Sequence, residues 1–185
     1  FIEALNESNI DIKGAVCSSI SSKKNLNSSI TVMELNEVHS IDFYIDGADE
    51  FNDRFELIKG GGGALTREKI LAYSSDKFIC IVDDSKHTDL LGNFPLPIEV
   101  LEIARSAISR EMMKMGGKPV YRNGFITDNG NQIIDVHNLP IEIPFELEEK
   151  INNIPGVVEN GIFSNWKADV IIKSKESGVE FLELK

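Results

Sequence analysis

Two cysteines, Cys17 and Cys80, are all the chain carries, too few for a disulfide framework and without metal-ligand spacing. Cys80 lies inside the apolar run Phe78-Ile79-Cys80-Ile81-Val82 and reads as a buried structural thiol. A reducing, cytoplasmic setting fits this usage. The three histidines, His39, His87 and His137, are scattered and lack ligand spacing, so no metal is expected. The single tryptophan, Trp166, reads as a packing or interface residue. No apolar run approaches the ~20 residues that cross a bilayer. Positive charge is also scarce: 19 Lys and Arg face 30 Asp and Glu, a formal net charge of −11. That balance argues against nucleic acid and acidic membrane surfaces as partners. No internal repeat and no low-complexity segment occurs. Phe1-Ile2-Glu3-Ala4-Leu5 reads as the end of an amphipathic helix and not as a signal peptide. A start at Phe1 leads us to expect a fragment of a longer protein.

What the sequence does have is concentrated between residues 46 and 69. Asp46-Gly47-Ala48-Asp49-Glu50 follows Ile41-Asp42-Phe43-Tyr44-Ile45, whose β-branched and aromatic content reads as a buried strand. Asp46 and Asp49 thus sit just past the C-terminal end of a strand, where open α/β sheets place their ligands. The second cluster is Lys59-Gly60-Gly61-Gly62-Gly63-Ala64-Leu65-Thr66-Arg67-Glu68-Lys69. Four consecutive glycines lose much backbone freedom on folding. The usual compensation is close approach of backbone amides to an anion or oxyanion at a helix start. Asp/Gly clusters are also ordinary turn chemistry, and Glu68 in a first helical turn would by itself only complement the helix dipole. Two nucleotide motifs are absent. A P-loop ends in Gly-Lys-Ser/Thr, whereas this run ends Gly63-Ala64-Leu65-Thr66; a dinucleotide fingerprint needs Gly or Ala where Leu65 or Thr66 stands.

The two clusters resemble the signature of the type A ribose-5-phosphate isomerases. The likeness continues through Asp84-Ser85-Lys86, Phe94-Pro95-Leu96-Pro97, Thr127-Asp128-Asn129-Gly130-Asn131 and Ile154-Pro155-Gly156-Val157-Val158, across essentially the whole chain. One departure stands out. The family carries a Thr-Gly-Ser-Thr phosphate loop near its N-terminus, and nothing here matches it, so the first strand and much of the phosphate cradle are expected to be missing.

The chain order points the same way. Expected strands are Gly14–Cys17, Ile30–Met33, Ile41–Asp46 and Phe78–Val82. Expected helices are residues 23–27 and Thr66 to about Ser75, with Thr66 as N-cap. This alternation predicts a mostly parallel, Rossmann-like sheet. From Phe94 onward the pattern changes. Pro97–Val100 reads as a strand, and Ile103–Met115 as a helix with Ile103, Ala107, Ile108, Met112 and Met115 inward. Val120–Arg122 and Phe125–Thr127 read as short strands, followed by a turn at Asp128–Asn131 and a strand at Ile133–Val136. A helix from Pro144 and a strand from Val157 to Phe163 complete a ferredoxin-like β-α-β-β-α-β order. Asp169–Lys173 would return to the first sheet. The expected fold is α/β with an inserted ferredoxin-like α+β domain at residues 92–169, inside a catalytic domain of residues 1–91 and 170–185.

The resemblance implies isomerisation of ribose 5-phosphate and ribulose 5-phosphate through an enediolate, in the non-oxidative pentose phosphate pathway, without a cofactor. It implies that Glu68 is the general base and that Asp46 and Asp49 bind sugar hydroxyls and assist ring opening. Asp46, Gly47, Ala48 and Asp49, with Lys59, Gly60, Gly61 and Gly62, form the substrate-binding segments. Lys59 is expected to stabilise the enediolate and Lys86 to serve the phosphate or a nearby hydroxyl, two roles the sequence leaves interchangeable. His87 stands beside Lys86 and is a further candidate for lining the site. For Glu68, Arg67 and the helix start favour the ionised form, whereas burial disfavours it. A homodimer or homotetramer is implied. The alternative reading is a sugar-phosphate-sensing domain without turnover; a related hexosamine phosphate deaminase or isomerase is a third.

Overall fold

Alternating apolar residues along Ile41–Asp46 and Ser75–Asp83 build the centre of the first sheet. The computed structural model of the chain describes residues 1–8, 10–26 and 29–184. Two short helices come first, α1 (Ile2–Glu7) and α2 (Ile20–Asn25). The Ser19 hydroxyl caps α2 by accepting from the Ser22 amide, so this helix starts earlier than expected; Asn27 lies outside the described residues. The strands expected at Gly14–Cys17 and Ile30–Met33 reduce to one parallel bridge, Ala15 with Val32. The first of these segments cannot extend because the chain turns at once into the Ser19 cap.

Next in order are β1 (Ile41–Asp46), β2 (Glu50–Phe51), β3 (Leu57–Ile58), α3 (Leu65–Ser74) and β4 (Ser75–Asp83). They are followed by β5 (Leu96–Val100), α4 (Arg105–Lys114), β6 (Lys118–Tyr121), β7 (Gln132–His137) and α5 (Pro144–Asn152). The last are β8 (Val157–Asn160), β9 (Ile162–Phe163), β10 (Val170–Lys175) and β11 (Gly178–Glu183). The first sheet runs β1-β4-β10-β11. β4 pairs in parallel with β1 and with β10, so the strand expected near residue 170 does return to it. β11 adds an antiparallel edge that the sequence reading missed. Tyr44, Phe78, Cys80, Val82 and Ile171 turn one face of this sheet toward α3 and form a core with Leu71 and Phe163.

The second sheet runs β6-β7-β5-β8, all antiparallel. With α4 and α5 this is the ferredoxin-like arrangement. Its core gathers Leu96, Ile98, Val100, Ile108, Met112, Ile134 and Ile151. A 3-10 turn at Glu102–Ala104 precedes α4 and shifts its phase. Ile108 and Met112 therefore point inward, whereas Ile103 is 93% exposed and Ala107 is exposed too, contrary to expectation.

A small third sheet, β2-β3-β9, joins the two. It exists because the run expected as one strand from Val157 to Phe163 breaks at Gly161. There a Cβ would lie 2.3 Å from the Lys59 carbonyl oxygen, and only glycine permits that approach. The Gly161 carbonyl accepts from the Lys59 amide at 2.9 Å, and its amide donates to Pro97 at 2.8 Å. This crossing fixes the backbone of Lys59. The strand expected at Phe125–Thr127 is absent: Thr127 closes the Asp128–Asn131 turn through its amide and its hydroxyl, and Phe125 lies against Gly63.

Candidate active site

β1 delivers Asp46 at its last residue. The chain then turns, with the Gly47 amide donating back to Asp46 Oδ1 at 2.8 Å, and passes into β2. β3 ends at Ile58, which places Lys59 directly beneath that turn. Lys59 is only 3% exposed. Its Nζ donates to Asp46 Oδ2 at 2.9 Å and to the Gly47 carbonyl at 2.5 Å, and reaches Glu68 Oε2 at 3.3 Å. Burial opposes its charge, but Glu68 and Asp46 outweigh that, so the ammonium is held well above the ordinary lysine pKa. Tyr44 donates its hydroxyl to Asp46 Oδ2, a contact the sequence reading missed. Burial and the neighbouring carboxylates raise the phenol well above its usual value, so it stays protonated as a donor.

Glu68 occupies the first turn of α3, as expected. Its Oε2 is buried, and apart from the 3.3 Å ionic contact with Lys59 it makes no hydrogen bond. Burial raises the Glu68 pKa, Asp46 adds to this, and Lys59 opposes it. Burial wins over the helix start, partly because Arg67 points away, donating to Asn129 Oδ1 at 2.7 Å and the Asp128 carbonyl at 2.9 Å. A carboxylate with a raised pKa and a free lone pair has the form of a general base. Thr66 is not the N-cap. The cap position is Ala64, and the Thr66 hydroxyl donates to Glu99 Oε2 at 2.5 Å.

The glycine run wraps over this group. The Gly61 amide donates to Asp49 Oδ2 at 2.8 Å, while Gly62 is exposed. Asp46, Gly47, Lys59 and Glu68 are thus in direct contact, with Asp49 and Gly61 beside them and Gly60 and Gly62 in the same loop. Ala48 packs against the first core. Lys86 stands apart, at the end of a 3-10 turn after β4. It lines an open cleft of about 240 Å³ with Asp49, Glu50, His87 and Phe94. His87 also pairs with Asp53 at 2.8 Å. Glu50 is structural: its carboxylate accepts from the amides of Gly92 and Phe94 at 2.7 and 2.6 Å. A larger groove of about 370 Å³ against α4 and α5 contains none of the candidate residues. Cys80 is buried and its thiol is pushed up to about 12, an unreactive structural role as expected. Among the described residues no group of His, Cys, Asp and Glu is arranged to hold a metal ion.

Two buried charges tie α3 to the second sheet and its helices, one from each side. Glu99 is fully buried in β5 and accepts from Thr66, Thr127, Asn129 and Asn131. Lys69, in α3, donates to Glu148, Glu159 and two backbone carbonyls. The only hint in the sequence is at Glu99, a charged residue inside the otherwise apolar run Leu96–Val100, whereas nothing about Lys69, which follows Thr66-Arg67-Glu68, marks its ion pairs.

The chain is similar to known proteins over nearly its whole length. The family model for ribose 5-phosphate isomerase A (phosphoriboisomerase A) matches residues 14–178. A ribose 5 phosphate isomerase A from Neisseria gonorrhoeae superposes with a TM-score of 0.97 at 51% identity, over 99% of this chain and 82% of that one. A D-ribose-5-phosphate isomerase solved with phospho-erythronic acid gives 0.92 at 40% identity, over 98% and 82%. The enzyme from Methanocaldococcus jannaschii gives 0.87 at 42%, over 92% and 78%. The chain therefore belongs to the ribose 5-phosphate isomerase A family, the aldose-ketose isomerases that interconvert ribose 5-phosphate and ribulose 5-phosphate.

Proposed function

We propose that Glu68 is the base that carries the proton between C1 and C2 of the pentose 5-phosphate. The observation that carries this is the buried, unbonded Oε2 of Glu68, 3.3 Å from the Lys59 ammonium. Abstraction leaves negative charge on the substrate oxygen, forming an enediolate. Lys59, the positive group at the centre of the site, compensates that charge, and the glycine-loop amides add donors to it. Asp46 and Asp49 take the sugar hydroxyls and assist ring opening. Lys86, on the rim of the cleft beyond Asp49, takes the phosphate end. A relative solved with phospho-erythronic acid supports a ligand of this size and charge.

The test is turnover of ribose 5-phosphate, with exchange of the transferred proton against deuterated solvent, in the chain and its Glu68→Gln variant. General base catalysis contributes about 10²–10⁴-fold. A loss of that size in both readouts is expected. Glu68→Gln retaining a tenth of the turnover would sink the assignment.

The chain divides, in this reading, into residues 1–91 with 170–185 and an inserted 92–169. Two separate apolar cores support this, although Ile58 and Leu91 already belong to the second. We further expect a cytoplasmic homodimer or homotetramer. Exposed Ile143 and Phe145 on the inserted segment favour association, and sedimentation velocity measures it.

A further inference from the structure

We propose that Arg122 is a positioning residue for the isomerisation, acting through the glycine loop. This rests on the reading of that loop as the donor set for the enediolate. Arg122 follows β6, and its amide donates to the Ile133 carbonyl at 3.0 Å. Its Nε and Nη2 grip Asp135 Oδ2 and Oδ1 at 2.8 and 2.5 Å, a bidentate pair that fixes the plane of the guanidinium. The free edge then faces the loop. Nη1 donates to the Gly61 carbonyl at 3.1 Å, and both terminal nitrogens reach the Gly60 carbonyl at 3.4 Å.

Peptide geometry turns this grip into an orientation. In a trans peptide the carbonyl and the following N–H point in opposite directions. Holding the Gly60 oxygen sends the Gly61 amide away from Arg122, and that amide is found on Asp49 at 2.8 Å. Holding the Gly61 oxygen sends the Gly62 amide the same way. Among the described residues the Gly62 amide donates to no protein group, which leaves it for the substrate oxygen. The Gly63 amide is engaged with the Gly60 carbonyl at 2.9 Å. Phe125 closes the arrangement, its ring 5.4 Å from the guanidinium and against Gly63. Without the Arg122 fork, Asp49 still holds the Gly61 amide, but no side chain sets the plane of the Gly61–Gly62 peptide. Lysine cannot replace it, because one ammonium does not present a planar fork.

The experiment compares Arg122→Met, Arg122→Lys and Asp135→Asn with the parent and with Glu68→Gln, at a temperature where circular dichroism shows each fully folded. Losing an oxyanion donor costs about 10²–10³ in kcat. Misaiming one should cost about 10–100-fold for Arg122→Met, with KM changed less than about threefold on the same principle. Arg122→Lys should not rescue it, and Asp135→Asn should fall in between. The inhibition constant of phospho-erythronic acid, whose carboxylate carries negative charge, should weaken by a factor that follows the loss in kcat/KM across the series. An unchanged kcat, a rise in KM alone, or full rescue by lysine would overturn the proposal. If Arg122→Met fails to fold, Asp135→Asn and Arg122→Lys decide on the same criteria. Turnover retained by Glu68→Gln would overturn the site assignment itself. A null Arg122 series with inactive Glu68→Gln would overturn the positioning role alone.

Discussion

Replacing Lys69 by methionine should be among the most damaging single changes outside the catalytic group. Lys69 is 5% exposed, and its ammonium lies 2.7–2.8 Å from four acceptors: Glu148 Oε1, Glu159 Oε1 and the carbonyls of Asn160 and Ile162. It has only three N–H groups, so one is shared. Methionine keeps the length and removes the charge. Glu159 is 18% exposed and retains the Asn152 amide group and the Asn160 amide. Glu148 is 2% exposed. Its Oε2 keeps the amides of Ser164 and Asn165, but Oε1 is left without its cation. Breaking a buried pair on one side costs about 3–5 kcal/mol. For a chain of this size each kcal/mol lowers Tm by about 2–4 °C, so the expected drop is ~6–20 °C. Urea unfolding followed by circular dichroism at pH 7 gives the free energy, and a thermal scan checks it. Combining Lys69→Met with Glu148→Gln should recover at least about 1 kcal/mol, because the stranded charge is gone. A single-variant loss below about 1 kcal/mol, or a double variant no better than the single, would refute this electrostatic account.

The acid limb of kcat/KM should lie above 4.5, because the base must be ionised and burial and Asp46 both help Glu68 keep its proton. Activity is therefore lost as pH falls through the raised Glu68 pKa. Lys59→Met should move the limb higher and Asp46→Asn lower in the residual activity; the opposite order in a pH-rate profile would refute the electrostatic arrangement. Gly61→Ala would put a Cβ 2.6 Å from Asp49 Oδ1, so turnover should fall about tenfold or more, in line with displacing a substrate-positioning group. At Gly62 a Cβ meets nothing within 4 Å, so denaturation of Gly62→Ala should agree with the parent to within about 0.5 kcal/mol.

The parts of the molecule that were legible in the sequence are those set by short-range chemistry. β1 and β4 announce themselves by β-branched and aromatic runs, α5 by Pro144, and the ferredoxin-like order by breaks such as the turn at Asp128–Asn131. Glu68, Lys59 and Asp46 were legible because the glycine run and the acidic turn are themselves local patterns. What was misread depends on partners far away in the chain. Thr66 looks like a helix cap until Glu99, 33 residues on, takes its hydroxyl. Phe125–Thr127 looks like a strand until Gly63 and Glu99 claim its side chains. β5 is buried at all five positions, so alternation could not single out Glu99. The ion pairs of Arg122 and Lys69 were not legible because their counter-charges come from other elements.

Four of the residues misread or missed share a location. Thr66, Glu99, Arg122 and Phe125 all lie on the seam between the glycine loop with its helix and the second sheet. Local propensity cannot specify a four-glycine loop, because glycine accepts nearly every backbone conformation. Its shape must be imposed from outside, and the seam supplies that through buried charge-assisted hydrogen bonds, which are costly to leave unmade. Disagreement between local pattern and structure is expected where function requires it. Here it falls on the residues that hold the loop over Glu68. On the Arg122 proposal, the second sheet acts on the reaction by fixing peptide planes, while Glu68, the proposed base, sits on α3.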